Sequence, residues 1–370
     1  MLIGVPKEIK NHEYRIGMTP ESVRTAVAHG HQVIVQSGAG IGIGADDEAY
    51  SNAGASIIEN AADIFAKAEM IVKVKEPQAI ERQMLRKDQI LYTYLHLAPD
   101  PEQTADLIES GAVCIAYETI TDDQGGLPLL KPMSQVAGRL SIQAGAYALE
   151  KSHGGLGVLM GGVPGVAPAK VVILGGGTVG FNAAQMAVGM QADVTILDTY
   201  SKTVETLSNY FANKARVIHS NAAILRDYVV DADLVIGAVL VAGAAAPKLV
   251  SKNMLAEMKD GAVLVDVAID QGGCFETSKA TTHADPIYIV DGIVHYCVAN
   301  MPGAVPRTST YALNNATLAH LLEIADKGWK RAIADDVNLL RGLNVCNGKV
   351  TYKAVATELG YDFTPAESLL

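Results

Sequence analysis

The chain is poor in charge, in aromatic residues and in cysteine, and each shortage closes off a class of function. Charged residues make up 19% of its 370 positions and balance at −11. That leaves no basic excess for a nucleic acid or an anionic membrane surface, and an anionic substrate would have to be caught by local cations. Aromatic residues are only 5%. The four cysteines (Cys114, Cys274, Cys297, Cys346) are scattered, with no CxxC pair and no histidine at ligand spacing. They read as small buried hydrophobes, and no metal is expected. No basic and apolar leader precedes the first strand-like run at Leu2, and the apolar stretch near Leu234 to Pro247 is too short and glycine-rich to span a bilayer. The expectation is a cytoplasmic protein with no membrane or nucleic-acid partner.

What is abundant is apolar residues, at 49%, and glycine, at 35. With this length, the balance suits a sheet-rich α/β protein of two domains. The most informative stretch is Ala169 to Asp198, AKVVILGGGTVGFNAAQMAVGMQADVTILD. An apolar strand ends at a glycine turn, a helix with small residues follows, and a second strand ends on an acid. Gly175 permits the tight turn, Gly177 lets the backbone reach a pyrophosphate, and Gly180 packs helix against strand. Asp198 would accept hydrogen bonds from ribose hydroxyls and repel a 2′-phosphate, so the cofactor is expected to be NAD.

Strand-like runs alternate with helical segments on both sides of this stretch. Before it come LIGVPKE, HQVIVQ, Glu69 to Lys75, Ile90 to His96 and Val113 to Tyr117. After it come Arg216 to His219, Leu234 to Val241, Ala262 to Asp270 and Ile287 to Val290. Thr19 is a helix start signal, and Ser134 is expected to cap a helix to about Lys151. Small residues on that helix, among them Gly138 and Gly145, suggest close packing between domains. A helix from Tyr311 to Gly328 is placed to return to the first domain. The fold expected is α/β with two doubly wound domains, one a Rossmann dinucleotide-binding domain inserted into a discontinuous substrate domain. The boundaries expected are 1–128 for the substrate domain, 129–306 for the NAD domain and 307–370 for the returning helical part.

Ligands of open α/β sheets lie beyond the carboxyl ends of the strands. That rule selects Arg15, in the loop after the first strand, and Lys75, His96 and Asp270, each at the end of an apolar run. Each has a plainer reading: Arg15 as an exposed loop cation, Lys75 as solvated beside Lys73, His96 as an edge residue, Asp270 as a cap. Together they suit hydride transfer on a small amino or oxo acid. Arg15 can hold a carboxylate, Lys75 can polarise a carbonyl oxygen, and His96 and Asp270 can move protons. Which of the last two is the principal acid or base stays open.

The chain resembles the NAD-dependent L-alanine dehydrogenases, of the alanine dehydrogenase and transhydrogenase alpha-subunit family. The likeness runs from Met1 to about Leu359, through IGVPKEIKNHEYRIGMTPESV, VKVKEP, LYTYLHLA, KPMSQVAGR, GGVPGVAPAKVVILGGGTVG, VDVAIDQGGCFE and CVANMPGAVPRTSTYALNNAT. The resemblance implies reversible conversion of L-alanine to pyruvate and ammonium, with Arg15 and Lys75 on the substrate and His96 and Asp270 as catalytic groups. For the cofactor it adds Ser134, Thr178, Val179, Ser220, Val239, Leu240, Val267, Ala268, Ile269, Asp270, Lys279, Val298, Ala299, Asn300 and Met301. It also implies a homohexamer. The chain departs from the family at Ala242 and Ala245, and at Thr203, where a basic residue is common and Lys202 stands beside it. Two other readings remain, a transhydrogenase-like nucleotide-binding module and a non-catalytic NAD(H)-binding module.

Overall fold

The computed structural model describes residues 1–239 and 246–370. In chain order its strands are β1 Leu2–Val5, β2 Gln32–Gln36, β3 Ser56–Ile58, β4 Met70–Val72, β5 Ile90–Thr93 and β6 Val113–Ala116. Then come β7 Lys170–Leu174, β8 Asp193–Asp198, β9 Arg216–His219, β10 Leu234–Gly237, β11 Val263–Asp266, β12 Ile287–Val290 and β13 Ile293–Tyr296. The last two are β14 Leu343–Cys346 and β15 Lys349–Val350. The described residues divide into one unit made of 1–133 with 303–370 and a second made of 134–302.

The sheet of the first unit runs β15-β14-β6-β5-β4-β1-β2-β3, and that of the second runs β12-β13-β11-β10-β7-β8-β9. Strands β1 to β6 are mutually parallel, with β14 and β15 added antiparallel at one edge. In the second sheet only β12 is antiparallel. Strand order therefore reverses between β1 and β4 in one unit and between β7 and β10 in the other. These reversals are where a doubly wound sheet opens a crevice beyond its strand ends.

Local signals place the elements. Thr19 caps the helix Pro20–Ala28, its hydroxyl accepting from the Ser22 N–H at 3.2 Å, and proline occupies the first turn. The helix Pro306–Lys327 belongs to the first unit. Its Asn314 accepts from the Thr19 N–H at 2.8 Å and donates to the Gly17 carbonyl at 3.2 Å. Ile64, Phe65, Ile71, Leu91, Leu107 and Val345 are buried in one core, and Val172, Val229, Val235, Leu264 and Phe275 in the other.

Three expectations need correction. Ser134 does not cap a helix: the helix spans Lys131–Ala148, because Pro132 is well suited to a first turn, and Ser134 lies inside it. At Gly138 and Gly145 the close neighbours lie within the second unit. A Cβ on Gly138 would come within 2.2 Å of the Val179 carbonyl oxygen, and one on Gly145 within 2.6 Å of Leu234. The strands are also shorter than their apolar runs, stopping at Val72, Thr93, Gly237 and Asp266. Lys73 and Tyr94 still donate to the backbone carbonyls of Tyr92 and Val74, at 3.2 and 3.3 Å, but the next two N–H groups of each segment, those of Val74 and Lys75 and of Leu95 and His96, turn to side-chain carboxylates.

Lys73 is wholly buried, with its ammonium 2.9 Å from Glu8 and 2.8 Å from Glu81. Burial pulls that ammonium toward the neutral form, but the two carboxylates outweigh it and hold its pKa above the ordinary lysine value. The stability this contributes is present below the ordinary lysine range and is lost as pH rises through the raised value. Lys73→Met, leaving two buried carboxylates without their cation, is expected to cost about 3–5 kcal/mol, read as a lowered denaturant midpoint at pH 7.

Candidate functional site

In the first unit, Arg15 follows β1 and Lys75 follows β4, the two strands that flank the reversal of order. Arg15 is not the exposed loop cation of the plainer reading: only 2% of it is accessible. Glu13 grips one edge of its guanidinium, Oε1 accepting from Nε at 2.7 Å and Oε2 from Nη2 at 2.5 Å, while Nη1 lies 3.1 Å from the Met133 sulfur. Burial works against the charge, but Glu13 more than offsets it and keeps the guanidinium protonated.

Lys75 is largely buried too, with its ammonium 3.8 Å from Glu76. Its backbone is held by Glu8, whose Oε1 accepts from the Val74 N–H at 2.6 Å and the Lys75 N–H at 3.3 Å. His96 follows β5, its side chain 43% exposed and its backbone left-handed at φ 51°. Its ring stacks on Tyr94 at 5.7 Å with 6° between the planes. Tyr94 is buried, donates to the Leu129 carbonyl at 2.6 Å, and is pushed up in pKa by that burial, against the pull of Arg15.

In the second unit the glycine turn lies between β7 and the helix Thr178–Gly189. Gly175 has φ 97°, and a Cβ on Gly180 would sit 1.8 Å from the Gly175 carbonyl oxygen. A Cβ on Gly177 would meet nothing within 4 Å, so space is open above the turn where a phosphate would lie. Asp198 accepts from the Gly176 and Tyr200 N–H groups, each at 2.7 Å. A carboxylate has about four acceptor positions, so ribose hydroxyls can still be received. These residues fit a dinucleotide.

The remaining expected positions are in the same unit, most of them beyond strand ends. Ser220 follows β9 and its N–H donates to the Asp198 carbonyl at 2.8 Å; Val239 follows β10 and approaches Gly175. Lys202 lies in the helix Ser201–Phe211 and Lys279 is exposed. Val298 to Met301 follow β13, with Val298 and Met301 buried and Asn300 left-handed at φ 63°. Leu240, Ala242 and Ala245 lie outside the described residues. Asp270 is exposed in a short turn, Ile269–Gln271, after Val267 and Ala268. Arg15, Lys75 and His96 thus belong to one unit and Asp270 to the other.

The residue at the end of β11 is Asp266, fully buried. It accepts from the N–H groups of Ala268 at 3.0 Å and Cys274 at 2.9 Å and from the Ser278 hydroxyl, so it ties together the loop that carries Asp270. Burial raises its pKa despite these donors. Sequence reasoning missed Asp266, Glu8, Glu13, Tyr94 and Glu118. The sole local signal was an acid inside or just after an apolar run, as in VDVAID.

Two cations at the reversal of one doubly wound sheet, and a dinucleotide turn at the reversal of another, define an NAD-binding α/β dehydrogenase. Two family models cover most of the chain: "Alanine dehydrogenase/PNT, N-terminal domain" over residues 4–137 and "Alanine dehydrogenase/PNT, C-terminal domain" over 141–353. An alanine dehydrogenase of Halomonas elongata is 58% identical over the whole of both chains. A solved L-alanine dehydrogenase superposes with a TM-score of 0.95 at 50% identity, covering 97% of this chain and 99% of its own. A transhydrogenase from Sinorhizobium meliloti, 24% identical, shares the fold with a TM-score of 0.82 over 96% of this chain and 100% of its own. The chain belongs to the alanine dehydrogenase/PNT family.

Gly180→Ala should force the glycine turn apart. NADH binding, followed by the fluorescence of the nucleotide, is expected to weaken at least about tenfold, since backbone contact with the pyrophosphate depends on that turn.

Proposed function

We propose that the chain is an NAD-dependent L-alanine dehydrogenase. It converts L-alanine, NAD⁺ and water to pyruvate, ammonium, NADH and a proton, reversibly. The observation that carries the reading is the pair Arg15 and Lys75 beyond the ends of the two strands that flank the reversal of the first sheet, with His96 beyond the end of the next strand. In a chain of net charge −11, these are the local cations a small carboxylate needs.

The division of labour assigned here gives substrate to residues 1–128 with 307–370 and cofactor to 129–306. Arg15 binds the substrate carboxylate, its guanidinium oriented by Glu13, and so fixes the position of the substrate Cα. Lys75 polarises the carbonyl oxygen of pyruvate and assists as that oxygen leaves in favour of nitrogen. His96 and Asp270 exchange protons with the substrate nitrogen, the oxygen and water. Bound NAD⁺ supplies the hydride acceptor. For it, Gly175, Gly177, Thr178, Val179 and Gly180 hold the phosphates, Asp198 holds the ribose with Lys202 beside it, and Ser134, Ser220, Val239, Leu240, Val267 to Asp270, Lys279 and Val298 to Met301 complete the contacts.

The same reading includes a homohexamer in the cytoplasm. Leu159, Val163 and Val166 are exposed apolar side chains on one stretch, a surface that a subunit contact would cover. The four cysteines are buried and none is in a disulfide, which suits a reducing compartment. No helix among the described residues is long and apolar enough to cross a membrane.

The test is NADH absorbance with pyruvate plus ammonium, and with each alone. Oxidation is expected only with both. Oxidation with pyruvate alone would mean a 2-hydroxy-acid dehydrogenase, and NADH binding without oxidation a binding module. Arg15→Lys, which cannot make the two parallel hydrogen bonds, should raise the pyruvate KM by about tenfold to a hundredfold and leave NADH affinity unchanged.

A further inference from the structure

His96 holds a backbone conformation that a residue with a side chain rarely adopts, at φ 51°. Such a residue costs on the order of 1 kcal/mol or more and persists only where its surroundings impose it. Glu118, in the turn Tyr117–Thr119 after β6, imposes it here. Its Oε1 accepts from the His96 N–H at 2.7 Å, and both of its oxygens lie 3.2 Å from the Leu95 N–H. From the helix Pro101–Ser110, the Gln103 amide donates to the Leu95 carbonyl at 2.7 Å, so the peptide joining Leu95 to His96 is gripped on both sides.

The consequence falls on the imidazole. The left-handed turn aims the His96 Cβ so that the ring lies parallel to Tyr94, while Nδ1 remains 4.0 Å from the same Glu118 oxygen. Tyr94 cannot follow a shifted ring, being buried and tied to Leu129. If the carboxylate were lost, the two N–H groups would lose their acceptor, the backbone would relax toward φ below zero, and the ring would leave the tyrosine face. The carboxylate is itself shielded, its side chain 13% exposed, so water does not readily replace it.

We propose that Glu118 is a positioning residue for the reaction, acting through His96: it fixes the imidazole where proton transfer to and from the substrate takes place. The inference rests on the reading of His96 as a proton carrier. It differs from a purely structural role in a measurable way, because a residue that acts through His96 has nothing left to act on when the imidazole is gone.

The experiment is a double-mutant cycle on the full-length enzyme, with Glu118→Ala, His96→Ala and the double variant compared for NADH oxidation with pyruvate and ammonium. Glu118→Ala is expected to lower kcat about tenfold to a hundredfold, the scale of a misplacement near 1 Å, with the pyruvate KM within about twofold and NADH binding unchanged. In the His96→Ala background the same substitution is expected to change kcat by less than about twofold. Wild-type kcat in Glu118→Ala, or equal losses in both backgrounds, would overturn the proposal. Should Glu118→Ala fail to fold, Glu118→Asp, which keeps the charge but draws the oxygens back by about one bond length, takes its place under the same criteria. An inactive wild type, or full turnover by His96→Ala, overturns the underlying reading and this proposal with it; an active wild type with a slow His96→Ala leaves Glu118 alone under test.

Discussion

A parallel sheet leaves a debt of hydrogen bonding at its carboxyl edge: past the last ladder, the chain turns away and its N–H groups need acceptors. In this protein carboxylates supply them. Glu8 takes the N–H groups of Val74 and Lys75, and Glu118 those of Leu95 and His96. Asp198 takes those of Gly176 and Tyr200, and Asp266 those of Ala268 and Cys274. Bonds to an ionised acceptor contribute about 1.5–3 kcal/mol, enough to settle the path of a loop that has no regular structure of its own. Each of these segments carries or adjoins a group proposed to touch substrate or cofactor.

The two units meet the accompanying electrostatic problem differently. In the first unit the shielded carboxylates stand against buried cations, Glu8 and Glu81 against Lys73 and Glu13 against Arg15. The pairing preserves the charge of the arginine while orienting it. In the second unit Asp266 is surrounded by neutral donors, and burial pushes its pKa up. Burial raises the pKa of Glu8 too, even with the Lys73 ammonium beside it, so shielding from water dominates at both carboxylates. A buried arginine already gripped along one edge has lost much of its rotational freedom, which lowers the entropic cost of any further contact it makes.

Part of this was legible in the sequence, and the physical reason is range. Gly175, Gly177 and Gly180 answer to steric demands within a few residues, so the turn, the helix after it and the acid at Asp198 could be read directly. The alternation of apolar runs likewise disclosed the doubly wound order, and the resemblance to a family added proposed cofactor positions such as Ser220 and Asn300 that no local pattern marks. The strand ends were misplaced because VKVKEP and LYTYLHLA continue the strand-like pattern after the ladder has stopped. What stops it is Glu8, more than sixty residues from Lys75, and Glu118, more than twenty from His96. No local pattern reports such pairs. Lys73 and Lys75 are indistinguishable in sequence, yet one is consumed by buried charge pairing and the other is not.

The same order of five strands surrounds the reversal in both units, β5-β4-β1-β2-β3 and β11-β10-β7-β8-β9, so topology alone does not decide which holds a nucleotide. The connection at the reversal decides it. After β7 the chain needs only the tight glycine turn before its helix begins at Thr178, which brings the helix N-terminus and its N–H groups to the strand end. After β1 the helix does not begin until Pro20, and residues 6–19 fill that place. Within them the chain passes so close over β4 that a Cβ on Gly17 would lie 2.4 Å from the Val72 carbonyl oxygen. The helix N-terminus is thereby replaced by side chains, and Glu8, Glu13 and Arg15 all belong to this one loop. In the function proposed for Arg15, exchanging a ring of backbone N–H groups for a single oriented guanidinium turns a pyrophosphate cradle into a holder for one small carboxylate, on the same order of five central strands.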